Sequence, residues 1–476
     1  MVGNRHGYAV VVSPLLSLAK DQRASAVDLG IEAEAWNSSI EPALKRRIAG
    51  DLQDAQTTLR LLFTTPESLE TPDLGDALRA GAASGLVKLF CVDEAHCVSQ
   101  WGNSFRPSYL RLGEARAQLM PGVPILAMTG TATAAVRRDM ARSLELRSPV
   151  VVDRPASRPE LCYDVVFREA LEHERKATAR ASDADEEEAD PTLQDLAAFI
   201  EAQGTKSGIV YCVRRETVDA VARELRGLGA DAAAYHAGLG SSDRARVQDQ
   251  WKRGDVQVVV ATVAFGMGID KSDVRWVVHH DVPISMEGFL QESGRAGRDG
   301  LPAISRMYAS HESLEQSVKL ERKSRRWGEE GTDEEATGSM VGYVSGEGCK
   351  RLSIARYLGE QGRRCAEVEN SEPCISCRDR QQHAANVRRW QSYRSASGGT
   401  GGVVGVAWRG VGEPAAKRKR PPALGVVLGA SSLWCKGNAF AVAPHGPTGP
   451  SQVPALKTIT NGNKRRAFVP PRRIGE

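Results

Sequence analysis

Short apolar runs recur along the first three hundred residues, too brief for long helices and too regular for loops. Tyr8–Val12, Arg60–Thr64, Val87–Val92 and Ile125–Met128 are apolar along most of their length and end in polar or small residues, as strands buried on both faces do. Ser17–Gly30 has helical spacing and closes on a glycine. The alternation resumes at Gly208–Cys212, Ala232–Tyr235, Val256–Ala261 and Val274–His279. This pattern predicts an α/β protein with two mostly parallel sheets, each covered by helices, and a nucleotide-sized cleft between them. In such sheets ligands bind beyond the carboxyl ends of the strands, so the residues just after each run deserve the search.

The pattern divides the chain into a first lobe at 1–152, a linker at 153–192, a second lobe at 193–318, a charged helical segment at 319–380 and a tail at 381–476. The linker contains Asp183-Ala-Asp-Glu-Glu-Glu-Ala-Asp190, whose self-repulsion predicts an extended, solvated insertion. The tail is rich in Gly, Pro, Val and Ala without periodicity and reads as disordered.

Composition changes the picture in two places. The net charge of +4 conceals 17 Lys/Arg against 3 Asp/Glu in residues 378–476, leaving 46 against 56 elsewhere. A basic tail on an acidic body points to nucleic acid or nuclear import, and Lys417-Arg-Lys-Arg-Pro-Pro422 is the candidate import patch. Of nine cysteines, Cys349, Cys365, Cys374 and Cys377 cluster while the others are scattered, which fits one metal site in a reducing compartment better than a disulfide framework. The segment Tyr8–Ala19 resembles a signal-peptide core, but a strand followed by a helix explains it equally well. No apolar stretch is long enough for a membrane span; the longest, Val256–Ile269, is broken by Gln257, Thr262 and two glycines.

The strongest chemical signal is Leu86-Val-Lys-Leu-Phe-Cys-Val-Asp93-Glu94-Ala95-His96, an apolar strand delivering adjacent carboxylates to its end. Phosphoryl transfer needs one carboxylate for Mg²⁺ and a second group to polarise the attacking water; Asp93 suits the first role and Glu94 the second. Asp93-Glu-Ala-His96 resembles motif II of superfamily-2 helicases, and its surroundings resemble the RecQ family. Trp101, Phe105, Arg106 and Tyr109 follow in a segment similar to the aromatic-rich loop that couples single-strand binding to ATP hydrolysis in that family. Aromatic faces stack on bases and an arginine adds charge toward phosphate. Asn103 and Ser104 stand where the family commonly has His and Asp.

Further stretches match in order. Val10–Leu15 resembles motif Ia, Thr64–Glu67 motif Ib and Ala127–Thr133 motif III, with Gly130 in place of the more usual alanine. The resemblance places Ser13 and Thr65 on DNA. Ala261–Lys271 resembles motif V, with Thr262 toward DNA phosphate and Gly268 and Asp270 toward the nucleotide. Gln291–Gly300 resembles motif VI; Gln291 faces the nucleotide, and Arg295 and Arg298, three apart, are expected on one helix face, suited to γ-phosphate charge. His96 joins Asp93 and Glu94 in the catalytic group. His236, in a segment between motifs IV and V, reads as structural.

Cys349-x15-Cys365-x8-Cys374-x2-Cys377 has the make-up of a tetrahedral thiolate Zn²⁺ site, and the intervening Lys350–Glu360 is similar to the helix of the RecQ zinc-binding subdomain. The resemblance covers about residues 8–380 and implies an ATP- and Mg²⁺-dependent 3′-to-5′ DNA helicase with a structural Zn²⁺, acting on single strands and duplex junctions in the nucleus, with no membrane partner. The alternatives are a non-catalytic nucleic-acid-binding helicase fragment and an RNA helicase. No Gly-x-Gly-Lys-Ser/Thr loop occurs in the 476 residues, so this polypeptide is expected to hydrolyse ATP poorly, and Tyr8–Val12 to lack a well-paired neighbour.

Overall fold

The first lobe is built on five strands: β1 (Tyr8–Val12), β2 (Ala33–Trp36), β3 (Leu61–Thr64), β4 (Val87–Val92) and β5 (Ile125–Ala127). They pair only in parallel, in the order β2-β3-β1-β4-β5. The structure is a computed structural model that describes residues 6–99, 107–130, 133–152, 158–179, 190–266, 271–324 and 340–396. Val10 and Val12 are wholly buried, and Val11 nearly so on the opposite face. β1 is therefore the central strand, paired with β3 and β4, and the expectation that it lacks a good neighbour is corrected: a strand apolar on both faces takes the middle. The edges are β2 and β5. Register sets Val12 level with Thr64 and with Val92. The residues leaving β3, β1, β4 and β5 thus form a row, about 15 Å long at the usual strand spacing.

The second lobe has six parallel strands in the order β6-β11-β10-β7-β9-β8. β7 (Gly208–Tyr211), β8 (Ala232–Tyr235), β9 (Val258–Ala261) and β10 (Trp276–His279) match the expected runs, trimmed at some ends. β6 (Leu161–Phe167) and β11 (Ala303–Ala309) were not expected. Each carries a charged residue that breaks the apolar run: Asp164 on β6 receives Arg306 of β11 at 2.9 Å. The interval 153–192 is thus no mere linker, because the second sheet begins inside it. Residues 183–189 of the acidic insertion lie outside the described residues; Asp190 caps the Pro191–Ala202 helix, accepting from the Thr192 backbone N–H at 2.7 Å.

The cysteine-bearing segment packs on the second lobe, and Cys349, Cys365 and Cys374 belong to the same buried cluster as β6, β10 and β11. The boundary expected at 380 is also moved. A helix runs from Arg380 to Ala396, and its Trp390 is fully buried, stacked on Phe167 at 4.8 Å and His311 at 4.2 Å. The Trp390 indole N–H donates to Glu169 at 3.0 Å. One aromatic anchor among charged residues escapes a composition-based reading. No described helix is long and apolar enough to cross a membrane.

Candidate active site

Asp93 leaves β4 with a carboxylate 5 % exposed. Its Oδ1 accepts from the Glu94 backbone N–H at 2.9 Å and its Oδ2 from the Gln22 side chain at 2.7 Å. Two donors do not offset burial, which together with the neighbouring Glu94 pushes the Asp93 carboxyl up to about 6. Glu94 adopts the left-handed region (φ 46°), unusual for a residue with a side chain and costing about 1 kcal/mol. That kink ends the strand and turns Glu94 toward the second lobe. Burial raises the Glu94 carboxyl, while Arg295 and Arg298 draw it back down. An anionic, metal-ready carboxylate and a second one in the field of two guanidiniums are what nucleotide hydrolysis requires.

His96 ties the lobes together. Its Nδ1 lies 2.9 Å from Thr129 Oγ1 and 3.3 Å from a Glu94 carboxylate oxygen, and its Nε2 lies 3.2 Å from the Gln291 amide nitrogen. An amide donor at Nε2 leaves the ring proton on Nδ1, pointing back into the first lobe. Burial lowers the imidazole to about 4, so it is neutral near pH 7. Motif III, motif II and motif VI therefore meet at one ring. Lys252 and Asp21, 3.8 Å apart, form a second bridge between the lobes.

Motif VI departs from expectation in one respect. The helix carrying Gln291 spans Met286–Ser293 and is capped by Gly294, so Arg295 and Arg298 lie on the turns beyond it. Gly297, at φ 66°, cannot continue a helix there. Arg295 is 9 % exposed and donates to the Gly266 carbonyl within motif V. Of the residues expected on DNA, Ser13 is wholly buried, and its hydroxyl has no partner among the described residues. Thr65 caps the Pro66–Leu69 helix and shares a 3.1 Å bond with Ser68. The Thr262 hydroxyl accepts from the Ala264 N–H at 3.4 Å. Trp101, Phe105, Arg106, Gly268 and Asp270 lie outside the described residues. Tyr109, at the end of the aromatic loop, donates its hydroxyl to the Asp93 carbonyl at 3.3 Å. His236 lies 3.1 Å from Asp219 and accepts from the Gly238 N–H at 3.2 Å.

The four clustered cysteines converge: their sulfurs all lie within 4.8 Å of one another. Cys349 is 3.7 Å from Cys365 and 3.8 Å from Cys374. A tetrahedron of Zn–S bonds near 2.3 Å has edges of about 3.8 Å, whereas a disulfide would hold two sulfurs near 2.0 Å. The donor set and spacing fit a Zn²⁺ ion.

Residues 2–139 match the DEAD/DEAH box helicase family, and residues 191–300 match the helicase conserved C-terminal domain. The chain is 38% identical over 372 residues to the mouse ATP-dependent DNA helicase Q5, across 76% of this chain and 37% of that protein. It is 37% identical over 374 residues to the ATP-dependent DNA helicase RecQ of Pasteurella multocida, across 78% of this chain and 53% of that one. The chain belongs to the RecQ-like helicases. It spans between about a third and about half the length of these relatives. Among solved structures, the helicase Lhr of Mycobacterium smegmatis bound to ssDNA and AMP-PNP is 20% identical with a TM-score of 0.49, covering 80% of this chain and 50% of that one. Within this RecQ-like frame, sequence reasoning missed Gln22, the donor to Asp93. It sits in a helix whose polar residues all read as solvent-facing, and only its place after motif Ia singles it out.

Proposed function

We propose that this chain is the motor core of a RecQ-type ATP-dependent DNA helicase that moves 3′-to-5′ along one strand. The observation that carries this is the His96–Gln291 contact, which brings motif VI onto motif II across the cleft and sets Glu94 beside two arginines. Asp93 is the carboxylate that holds Mg²⁺, which when bound neutralises phosphate charge. Glu94 orients the attacking water, and Arg295 and Arg298 stabilise charge developing on the γ-phosphate. The ring of His96 links that chemistry to motif III and to the second lobe. The names of the relatives support this reading over a non-catalytic fragment.

DNA engagement rests on Thr65 and Thr262 at strand ends and on the aromatic residues Trp101 and Phe105 with Arg106; Ser13, wholly buried, is not one of the contacts. Gly268 and Asp270 complete the nucleotide side of motif V. Cys349, Cys365, Cys374 and Cys377 hold a structural Zn²⁺, since protein fills all four positions. The basic tail and Lys417–Arg420 direct the protein to the nucleus and add affinity for single strands and duplex junctions. The test is strand displacement on 3′-tailed DNA and RNA duplexes, using the chain preceded by a Gly-x-Gly-Lys-Thr phosphate loop. ATP-dependent unwinding of DNA but not RNA is expected, and Trp101→Ala should abolish DNA stimulation while sparing basal hydrolysis. Preference for RNA would sink the assignment.

A further inference from the structure

The loop that carries Arg295 has no regular structure of its own, and the side-chain donors that hold the carbonyls flanking Arg295 come from one residue, Arg158. Arg158 donates to the Gly294 carbonyl at 3.1 Å and to the Ala296 carbonyl at 2.9 Å, so its fork straddles Arg295. Its Nε–H donates to Glu160. The Gly297 N–H reaches the Val274 carbonyl at 2.9 Å, and a Cβ at position 297 would come within 3.0 Å of the Glu160 side chain. The 158–160 segment is therefore the cradle of the arginine loop.

That cradle is itself held from the cysteine module. Arg351, the second residue of the Lys350–Tyr357 helix that starts at Cys349, is 3 % exposed. It donates to the carbonyls of Arg158 at 2.5 Å, Leu161 at 2.9 Å and Glu372 at 3.3 Å. A cavity of about 370 Å³, lined by Arg158, Tyr163, Arg351, Ile354 and others, lies alongside. The Glu372 N–H adds a bond to the Pro159 carbonyl at 2.8 Å, and the Ala303 N–H of β11 one to the Glu160 carbonyl at 2.9 Å.

We propose that Arg158 and Arg351 are positioning residues through which the cysteine module sets the place of Arg295 and Arg298. The inference rests on those two arginines being the pair that faces ATP. A module on the outer face of the second lobe would then tune catalysis without touching nucleotide.

Amide hydrogen exchange on the full 476-residue chain tests this without nucleotide. Arg158→Ala should speed exchange at 294–297 by about tenfold or more, with β7, β9 and β10 unchanged. Arg158→Lys, which keeps the charge but cannot span two carbonyls, should give an intermediate rate. Arg351→Lys should loosen both 158–161 and 294–297 at unaltered metal content. Unchanged protection at 294–297 in Arg158→Ala, or equal loosening across the whole lobe, would overturn the proposal. ATP hydrolysis measured on the chain preceded by a Gly-x-Gly-Lys-Thr loop separates the two ideas: no hydrolysis there counts against the proposed function alone, while the exchange pattern still decides the positioning role.

Discussion

Replacing Asp93 by asparagine should stabilise the protein at neutral pH, and the gain should shrink in mild acid. Asp93 is 5 % exposed with two donors, and its carboxyl is raised from 3.8 to about 6. Between those values the folded state binds the proton more tightly than the unfolded chain. The stability associated with this group is therefore fully present below pH 3.8 and lost as pH rises through about 6. A shift of that size corresponds to about 3 kcal/mol at pH 7.5 and about 1 kcal/mol at pH 4.5. An amide cannot ionise, so Asp93→Asn escapes this cost. Relative to the protonated acid, the amide also turns an N–H toward one of the two donors and loses that hydrogen bond, about 1 kcal/mol that does not vary with pH. The net gain should be about 2 kcal/mol at pH 7.5 and near zero at pH 4.5. The slope from buried His96, lowered to about 4, runs the other way, since its stability is lost as pH falls. It is common to both proteins and largely cancels in the difference. Urea unfolding of parent and variant at the two pH values measures this directly. A difference that does not change with pH, or destabilisation at both values, would refute the argument that Asp93 is held ionised against its surroundings.

Other substitutions probe separate parts of the structure. Cys374→Ser should lower both metal content and solubility, because a structural Zn²⁺ contributes folding free energy directly; metal analysis and unfolding curves check it, and a fully loaded variant would count against the site. Gln291→Ala should slow DNA-stimulated ATP turnover about fivefold through loss of one hydrogen bond, with thermal unfolding unmoved. Gly208→Ala should destabilise the second lobe by about 2 kcal/mol or more, since its Cβ would meet the Trp276 ring at 2.0 Å; an unchanged melting curve would contradict the packing.

The strands that proved easiest to read are those apolar on both faces, such as Tyr-Ala-Val-Val-Val at β1 and Val-Val-Val-Ala at β9. Central parallel strands announce themselves because nothing polar interrupts them. β2, β6 and β11 escaped because edge or near-edge positions admit Glu34, Asp164 and Arg306. The motif residues were legible by type and order, and the structure gathers Asp93, Glu94, His96, Gln291, Arg295 and Arg298 in one place. What sequence could not show is who holds them. Gln22, Arg158 and Arg351 act on backbone carbonyls or on a carboxylate distant in the chain, and a lone polar side chain carries no sign of such a partner. The arginine pair illustrates the limit in the other direction: spacing of three implied a helix face, but Gly294 and Gly297 end the helix first.

Single-stranded-DNA-stimulated ATP hydrolysis, measured on the chain with and without an added Gly-x-Gly-Lys-Thr segment ahead of it, tests the two-lobe site most directly. The 476 residues alone should turn over ATP weakly, because their sequence contains no Gly-x-Gly-Lys-Ser/Thr loop to grip the phosphates. With the segment added, hydrolysis should rise, respond to single-stranded DNA, and vanish on Glu94→Gln or Arg295→Ala. Hydrolysis that survives both substitutions would show that the carboxylate and guanidinium groups meeting across this cleft are not the machinery of the reaction.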